Sequence, residues 1–231
     1  MPDFLTQDSN LSYEFLNAEE CLNFLTDDEK QELVDKKTDI EFNSGEVIIK
    51  RGLLANNIVY ITEGLAKLEI VNGNRTSTVA ILKSHSFIGI VCCFAFEKFD
   101  FTATAIAKTK VSFVGMEVFE KFIMNNGEFA LNLIKHMSGV SNRLLHRLTD
   151  LSQKNIEGAI SFVLMDFAKI YNSTEFELPM SRTEIGNMLG YSKESVINTL
   201  SKFKREGIIN VSDRKIKILN SKKLEQIYKV G

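Results

Sequence analysis

The chain is 231 residues long, 44% hydrophobic, and carries 28 Lys and Arg against 30 Asp and Glu. That length and apolar content can bury a core without disulfides or metals, and they fit one or two domains. The charge is uneven: residues 1–126 hold 12 basic against 19 acidic side chains, residues 155–231 hold 12 against 9, and from Phe176 onward the ratio is 11 to 6. An acidic front and a basic tail point to two domains, the second with the electrostatics of a nucleic-acid module.

Residues 1–10 contain Asp3 and Asp8, no basic start and no apolar run, so no secretory leader is read there. No stretch approaches the roughly eighteen consecutive apolar residues of a membrane span. Three cysteines, Cys21, Cys92 and Cys93, are an odd set that argues against a disulfide framework. The expectation is a soluble, cytoplasmic protein with no membrane partner.

In chain order, a polar, helical opening gives way between residues 40 and 114 to short β-branched and aromatic runs at 46–49, 58–61, 65–70 and 102–106. Breaks fall at Gly45, Gly52, Gly64 and Asn72-Gly73-Asn74, the last reading as a hairpin turn. Many short strands at this spacing mean a sandwich, roll or barrel. From Gly127 the period becomes helical: Ala130, Leu133, Ile134, Met137, Val140, Leu144, Leu148 and Leu151 recur every three or four positions, about three heptads. Such a helix either packs on its own domain or pairs with its twin. Its place between an acidic and a basic domain favours pairing, and Ser138, Gly139 and Ser141 would permit close approach. Ile134, Met137, Leu144 and Leu148 are read as the dimer seam.

Residues 178–200, LPMSRTEIGNMLGYSKESVINTL, carry the most information. Ser181 and Glu184 form an S-x-x-E capping box that starts a helix, Ile185 and Leu189 give it an apolar face, and Gly190 ends it. Ser192 then caps a second helix with Val196, Leu200 and Phe203 on its buried side. Two short helices about a glycine turn make a helix-turn-helix. The second leaves Lys193, Glu194, Ser195, Asn198 and Lys202 outward, the part that a recognition helix presents to base edges. Gly207 ends that helix. Residues 208–211 and 216–219 read as paired strands about a basic turn at 212–215, a wing suited to phosphate contacts.

Residues 178–219 resemble the helix-turn-helix of the Crp/Fnr family, down to the L-P-M-[ST]-R-x-E-I-G opening and the G-x-S-[KR]-E-[ST]-V core. Phe42-x-x-Gly45-Glu46, Gly52, Asn57, Val59-Tyr60-Ile61 and Glu63-Gly64-x-x-Lys67-Leu68 resemble the family's cyclic nucleotide-binding roll, and residues 127–151 sit where it has its dimer helix. The resemblance implies an α+β protein: a cyclic nucleotide-binding-like jelly roll over residues 1–126, a dimerisation helix over 127–154, and a winged helix-turn-helix over 155–231. It implies a homodimeric transcription regulator on a palindromic DNA site, with RNA polymerase as partner and a small-molecule effector in the roll. Lys193, Glu194 and Asn198 match the base-reading positions, with Ser195 beside them. Glu194 fits a cytosine amino group, Lys193 makes a single-point contact where arginine is common, and Asn198, replacing a usual arginine, favours adenine. Phosphate contacts are expected from Ser181, Arg182, Thr183, Ser192, Lys202, Arg214 and Lys215.

The cassette that holds a cyclic nucleotide in the family opens a short helix with G-E and follows it with R-[ST]-A. The corresponding residues are Gly89-Ile90 and Phe101-Thr102-Ala103, so both the glutamate and the arginine are replaced by apolar side chains, and Lys98 is the nearest cation in sequence. An unpaired phosphate charge is very costly to bury. Cyclic AMP is therefore not expected, and Ile88, Gly89, Ile90, Cys92, Cys93, Phe101, Thr102 and Ala103 are the candidate lining of a pocket for another, unknown effector. No cofactor is assigned: one N-terminal cysteine, Cys21, cannot supply an iron–sulfur cluster, and Cys92-Cys93 are too close in sequence to chelate one metal. His85 is read as hydrated rather than as a haem ligand, and His136 and His146 do not form a metal pair. No G-x-S-x-G, P-loop, H-E-x-x-H or dinucleotide fingerprint is present, which argues against an enzyme. A ligand-binding module whose helix-turn-helix no longer holds DNA is the other alternative.

Overall fold

The computed structural model describes residues 18–73 and 75–231. Residues 1–17, which include the start of the expected helical opening, and Asn74 of the expected hairpin turn lie outside that range.

Two helices open it, α1 (Ala18–Leu22) and α2 (Asp27–Lys36), the second closed at its N-terminus by a capping box between Thr26 and Glu29. Eight strands follow: β1 (Thr38–Phe42), β2 (Val47–Ile49), β3 (Asn57–Glu63), β4 (Leu65–Asn72), β5 (Arg75–Lys83), β6 (Ser86–Ile88), β7 (Thr102–Ala105) and β8 (Thr109–Gly115), with the short helix α3 (Ile90–Ala95) between β6 and β7. Pairing is antiparallel in two four-stranded sheets, β1-β8-β3-β6 and β2-β7-β4-β5. Alternation sends Val59 and Ile61 of β3, Ala103 and Ala105 of β7, and Ala80 and Leu82 of β5 into one shared core with Ile48, Ile49, Ile88 and Val111. Closing two sheets on a single core produces the expected roll.

Helices α4 (Met116–Asn125) and α5 (Gly127–Ser152) come next. Phe119 and Phe122 of α4 and Phe129 of α5 pack tilted and edge-on, with centroids 6.0–6.4 Å apart, in a second core that includes Cys21, Phe87 and Leu133. The first turns of α5 are thereby fastened to the roll.

The C-terminal part is built around α6 (Ile156–Ile170), whose N-cap Asn155 accepts from the amides of Glu157 and Gly158 and whose buried residues run from Gly158 to Ala168. Around it lie β9 (Glu175–Glu177), α7 (Arg182–Leu189), α8 (Lys193–Arg205), β10 (Ile209–Ser212), β11 (Lys215–Ile218) and α9 (Ser221–Val230). The wing pair β10-β11 is extended by β9 into a three-stranded sheet, a pairing that the sequence did not announce. Packing divides the chain inside α5: of the described residues, 18–73 and Thr78–Leu144 form one compact unit, and Leu145–Gly231 together with Arg75–Ser77 form the other.

Candidate DNA interface and effector cavity

The interface starts from local hydrogen bonding. Ser181 Oγ accepts from the Glu184 amide at 3.2 Å while the Ser181 amide donates to the Glu184 carboxylate at 2.7 Å, the expected capping box. Substituting such a cap by alanine costs about 1 kcal/mol. Gly190 ends α7 at φ 75°, a left-handed conformation that glycine adopts without strain. Gly186 faces the turn itself: a Cβ there would lie 2.6 Å from the Tyr191 carbonyl oxygen, so α7 meets the turn only as glycine. Ser192 Oγ then accepts from the Ser195 amide at 3.1 Å and opens α8.

Val196, Leu200 and Phe203 of α8 are buried as expected, joined by Thr199. Burying each large side chain stabilises by roughly 1.5–3 kcal/mol, which fixes the helix's rotation about its axis. That rotation leaves Lys193, Glu194 and Asn198 exposed and Ser195 half-buried on the opposite side. Arg214 and Lys215 lie exposed at the wing turn, where Asp213 takes φ 53°.

Several residues expected to touch phosphate have work inside the fold. Ser181 and Ser192 are caps. Lys202 Nζ pairs with the Glu157 carboxylate, which raises the lysine's pKa, the hydrogen bond to Glu157 being the largest cause. Arg182 Nη2 donates to the Asp213 carbonyl at 2.7 Å, and the Leu178 amide donates to the Arg214 carbonyl at 2.9 Å. The wing turn is thus tied to the start of the helix-turn-helix at two points. Thr183 is exposed at the α7 N-terminus.

At the near end of the same unit, Arg147 of α5 lies 3.7 Å from the Asp166 carboxylate and 5.4 Å from the Phe162 ring centroid. Burial raises the Asp166 pKa, while Arg147 and Lys169 pull it back down. The last turns of α5 therefore pack into the DNA-binding part.

In the roll, a cavity of about 290 Å³ opens beside α3. Of the eight expected lining residues, Gly89, Ile90, Cys92 and Phe101 reach it, whereas Ile88, Cys93, Thr102 and Ala103 do not. Ile88 and Ala103 are core, Thr102 Oγ1 accepts from the Arg51 amide, and Cys93 Sγ donates to the Asn57 carbonyl. Sequence reading missed the wall supplied by α5: His136, Met137, Val140, Ser141 and Leu144. Met137 and Leu144, read as seam residues, line this cavity as well, Leu144 remaining 39% exposed. Lys98 is exposed, bridges to Leu54 and does not line the cavity. Among the described residues, no lysine or arginine lines it.

The thiols are protonated and enclosed. Burial pushes the Cys92 pKa up to about 12, helped by its hydrogen bond to Asp100, and burial pushes Cys21 and Cys93 up to about 11. His85 Nδ1 lies 2.8 Å from the Tyr60 hydroxyl and 3.1 Å from the Glu19 carboxylate. Among the described residues, no cluster of three or more His, Cys, Asp or Glu side chains is arranged to hold a metal ion, and no helix is long and apolar enough to cross a membrane.

A winged helix-turn-helix joined to a cyclic nucleotide-binding-like roll by a long helix is the architecture of a DNA-binding sensor protein. Comparison with known proteins agrees at both ends. The Crp-like helix-turn-helix domain family matches residues 142–227 and the cyclic nucleotide-binding domain family matches residues 39–126. The chain is 23% identical over 183 residues to the transcriptional activator protein FnrA of Stutzerimonas stutzeri, covering 77% of this chain and 75% of that one. It is 46% identical over 57 residues to the transcriptional regulatory protein btr of Bordetella pertussis, 25% and 24% of the two chains. The solved structure of FixK2 from Bradyrhizobium japonicum superposes with a TM-score of 0.72 at 21% identity, over 83% of this chain and 96% of that one. The chain belongs to the Crp/Fnr family of transcription regulators, which are not enzymes.

Proposed function

We propose that this regulator binds an inverted-repeat DNA site as a homodimer, reads bases with Lys193, Glu194, Ser195 and Asn198, and responds to an effector in the roll other than cyclic AMP. The observation that carries the reading is the exposed N-terminal half of α8, held by the Ser192 cap and turned outward by the burial of Val196, Leu200 and Phe203. Thr183, Arg214 and Lys215 supply exposed phosphate contacts, while Arg182 and Lys202 act through the fold. RNA polymerase is the partner that family membership implies, and the cytoplasm the compartment.

Dimerisation draws on the outer face of α5. Leu131, Ile134, Leu145 and Leu148 are 53%, 61%, 64% and 67% exposed. With Ser138 they lie at the three-four spacing of a coiled-coil seam, and Ser141, which also lines the cavity, sits at its edge. Two recognition helices related by a two-fold axis then enter successive major grooves with half-site centres about 10 to 11 base pairs apart.

Selection from random duplex DNA followed by a salt-dependent shift assay tests the reading. Glu194→Ala is expected to lose about 1–3 kcal/mol on the selected site and relax choice at one position. Arg214→Ala or Lys215→Ala is expected to weaken all sequences alike and lower the salt slope by about one unit. A non-palindromic selected site, or wing variants that alter base preference while Glu194→Ala leaves it unchanged, would overturn the assignment.

A further inference from the structure

We propose that the roll cavity takes an uncharged, largely apolar small molecule carrying one hydrogen-bonding group, which Ser86 engages. The proposal rests on the reading of the roll as the effector-sensing part and names the chemistry of what it senses.

Size comes first. About 290 Å³ lies at the lower end of the range for small-molecule sites, so the ligand is compact. The walls are largely apolar, with Leu82 from β5, Phe96 and Phe101 from the α3–β7 connection and Val140 from α5 among the lining residues. Such a lining favours a hydrocarbon or aromatic body, because apolar surface leaves water on entry.

Charge narrows the class. Among the described residues no lysine or arginine lines the space, and the Asp100 carboxylate does, accepting from the Cys92 thiol at 3.2 Å. A phosphate or carboxylate would meet the exposed Asp100 carboxylate at the cavity and, among the described residues, no lysine or arginine to pair with, which disfavours an anionic ligand. The nucleotide-binding residues of the family are thus not merely missing; a negative group occupies the wall.

One polar atom points to the ligand's remaining feature. Ser86 is 4% exposed, lines the cavity, and its Oγ has no hydrogen-bond partner in the fold. Buried hydroxyls in native proteins are ordinarily paired, and a serine hydroxyl both donates and accepts. A carbonyl, hydroxyl or amine on an otherwise apolar ligand completes the pair. Because Val140 belongs to α5, the bound molecule also touches the helix that bears the exposed stripe.

Fluorescence titration of the full-length protein with 1-aminoanthracene, a neutral and compact aromatic amine, tests this. Saturable, blue-shifted emission at one probe per chain is expected, with anthracene-1-carboxylate binding at least ~10-fold more weakly and cyclic AMP displacing nothing. Ser86→Ala is expected to weaken the probe roughly 2- to 10-fold, and Asp100→Asn to narrow the gap between amine and carboxylate. Ala80→Phe fills the space and should abolish binding in protein whose near-ultraviolet dichroism shows it folded; where that variant does not fold, the amine–carboxylate comparison in the unaltered protein decides. Absence of saturable binding, equal binding of the carboxylate, or displacement by cyclic AMP overturns the proposal. Probe binding that leaves DNA affinity unchanged supports the ligand class while removing the effector reading, so the two fail separately.

Discussion

At the residue scale, burial sets the chemistry of the three thiols and one guanidinium helps attach the wing. With its pKa near 12, Cys92 holds a thiolate fraction orders of magnitude below that of an exposed cysteine at neutral pH. Alkylation of the native protein by iodoacetamide should therefore run at least ~100-fold slower than for free cysteine, and unfolding in urea should restore the rate. Rapid modification of Cys92 or Cys93 in the native state would show an accessible, reactive thiol and count against this protection. The same shifts fix the sign of a stability effect. Folded-state values of about 11 to 12 lie above the ordinary 9.0, so the thiols' contribution is complete below about pH 9 and is lost as pH rises through their folded values. Tyr60 and Tyr228, raised by burial from 10.0 to about 12, add to that alkaline loss. Denaturant midpoints should fall above pH 9, and less steeply for Cys93→Ala. Arg182→Ala should release the Asp213 carbonyl and loosen the wing. Because a positioning residue acts through Arg214 and Lys215, its effect on DNA affinity should shrink when both are already alanine, a non-additivity that a double-mutant comparison reads directly. Much of this scale was legible in the sequence. Ser181, Glu184, Gly190 and Ser192 act through neighbours within a few positions, and such local chemistry survives without knowledge of the fold. Arg182 reaches a residue 31 positions away, and nothing local distinguishes that from a phosphate contact.

At the element scale, α5 shows where periodicity stops. Its apolar residues form two stripes, one containing Phe129, Leu133 and Met137 against the roll and another containing Leu131, Ile134, Leu145 and Leu148 outward. A heptad count registers both together, so the seam read from sequence combines Met137 and Leu144, which also line the cavity, with Ile134 and Leu148, which do not. The outward stripe makes a specific prediction: Leu145→Glu with Leu148→Glu should give a folded monomer with greatly weakened DNA binding, whereas Met137→Glu should lower the thermal midpoint of the roll through its packing against that domain. Sedimentation and melting curves separate the two, and a Leu145/Leu148 double variant that sediments as a dimer would discard the seam. Strand β9 escaped reading for another reason. Glu175–Glu177 has one apolar residue, Phe176, and three residues are too few for alternation to show; its strand character comes from the partner β11 and from Phe176 stacking on Tyr171 at 5.8 Å.

At the scale of the whole molecule, the acidic front and basic tail of the sequence correspond to separate compact units, yet the composition contained no sign that the dividing line would fall within a continuous helix between Leu144 and Leu145. The Arg147–Asp166 pair helps the last turns of α5 go with the DNA-binding part: at 3.7 Å, with both side chains largely enclosed, removing Arg147 leaves the buried Asp166 with only Lys169 as a nearby positive charge. Residues 145–231 expressed alone should therefore be more stable than residues 155–231, by on the order of 2 kcal/mol, less than a fully dry pair would give. The shorter piece also loses the Lys154 carbonyl that accepts from the Tyr191 hydroxyl at 2.9 Å. Chemical denaturation of both fragments measures the difference, and equal midpoints would show the pair to be idle. That single guanidinium bears on how such regulators exchange parts by recombination. A crossover at the visible helix boundary, between residues 154 and 155, would hand the new sensor a DNA reader whose Asp166 faces whatever residue the foreign helix brings to position 147. A crossover ten residues earlier carries both members of the pair together, so viable natural or engineered hybrids of this regulator are expected to have their joints in mid-helix.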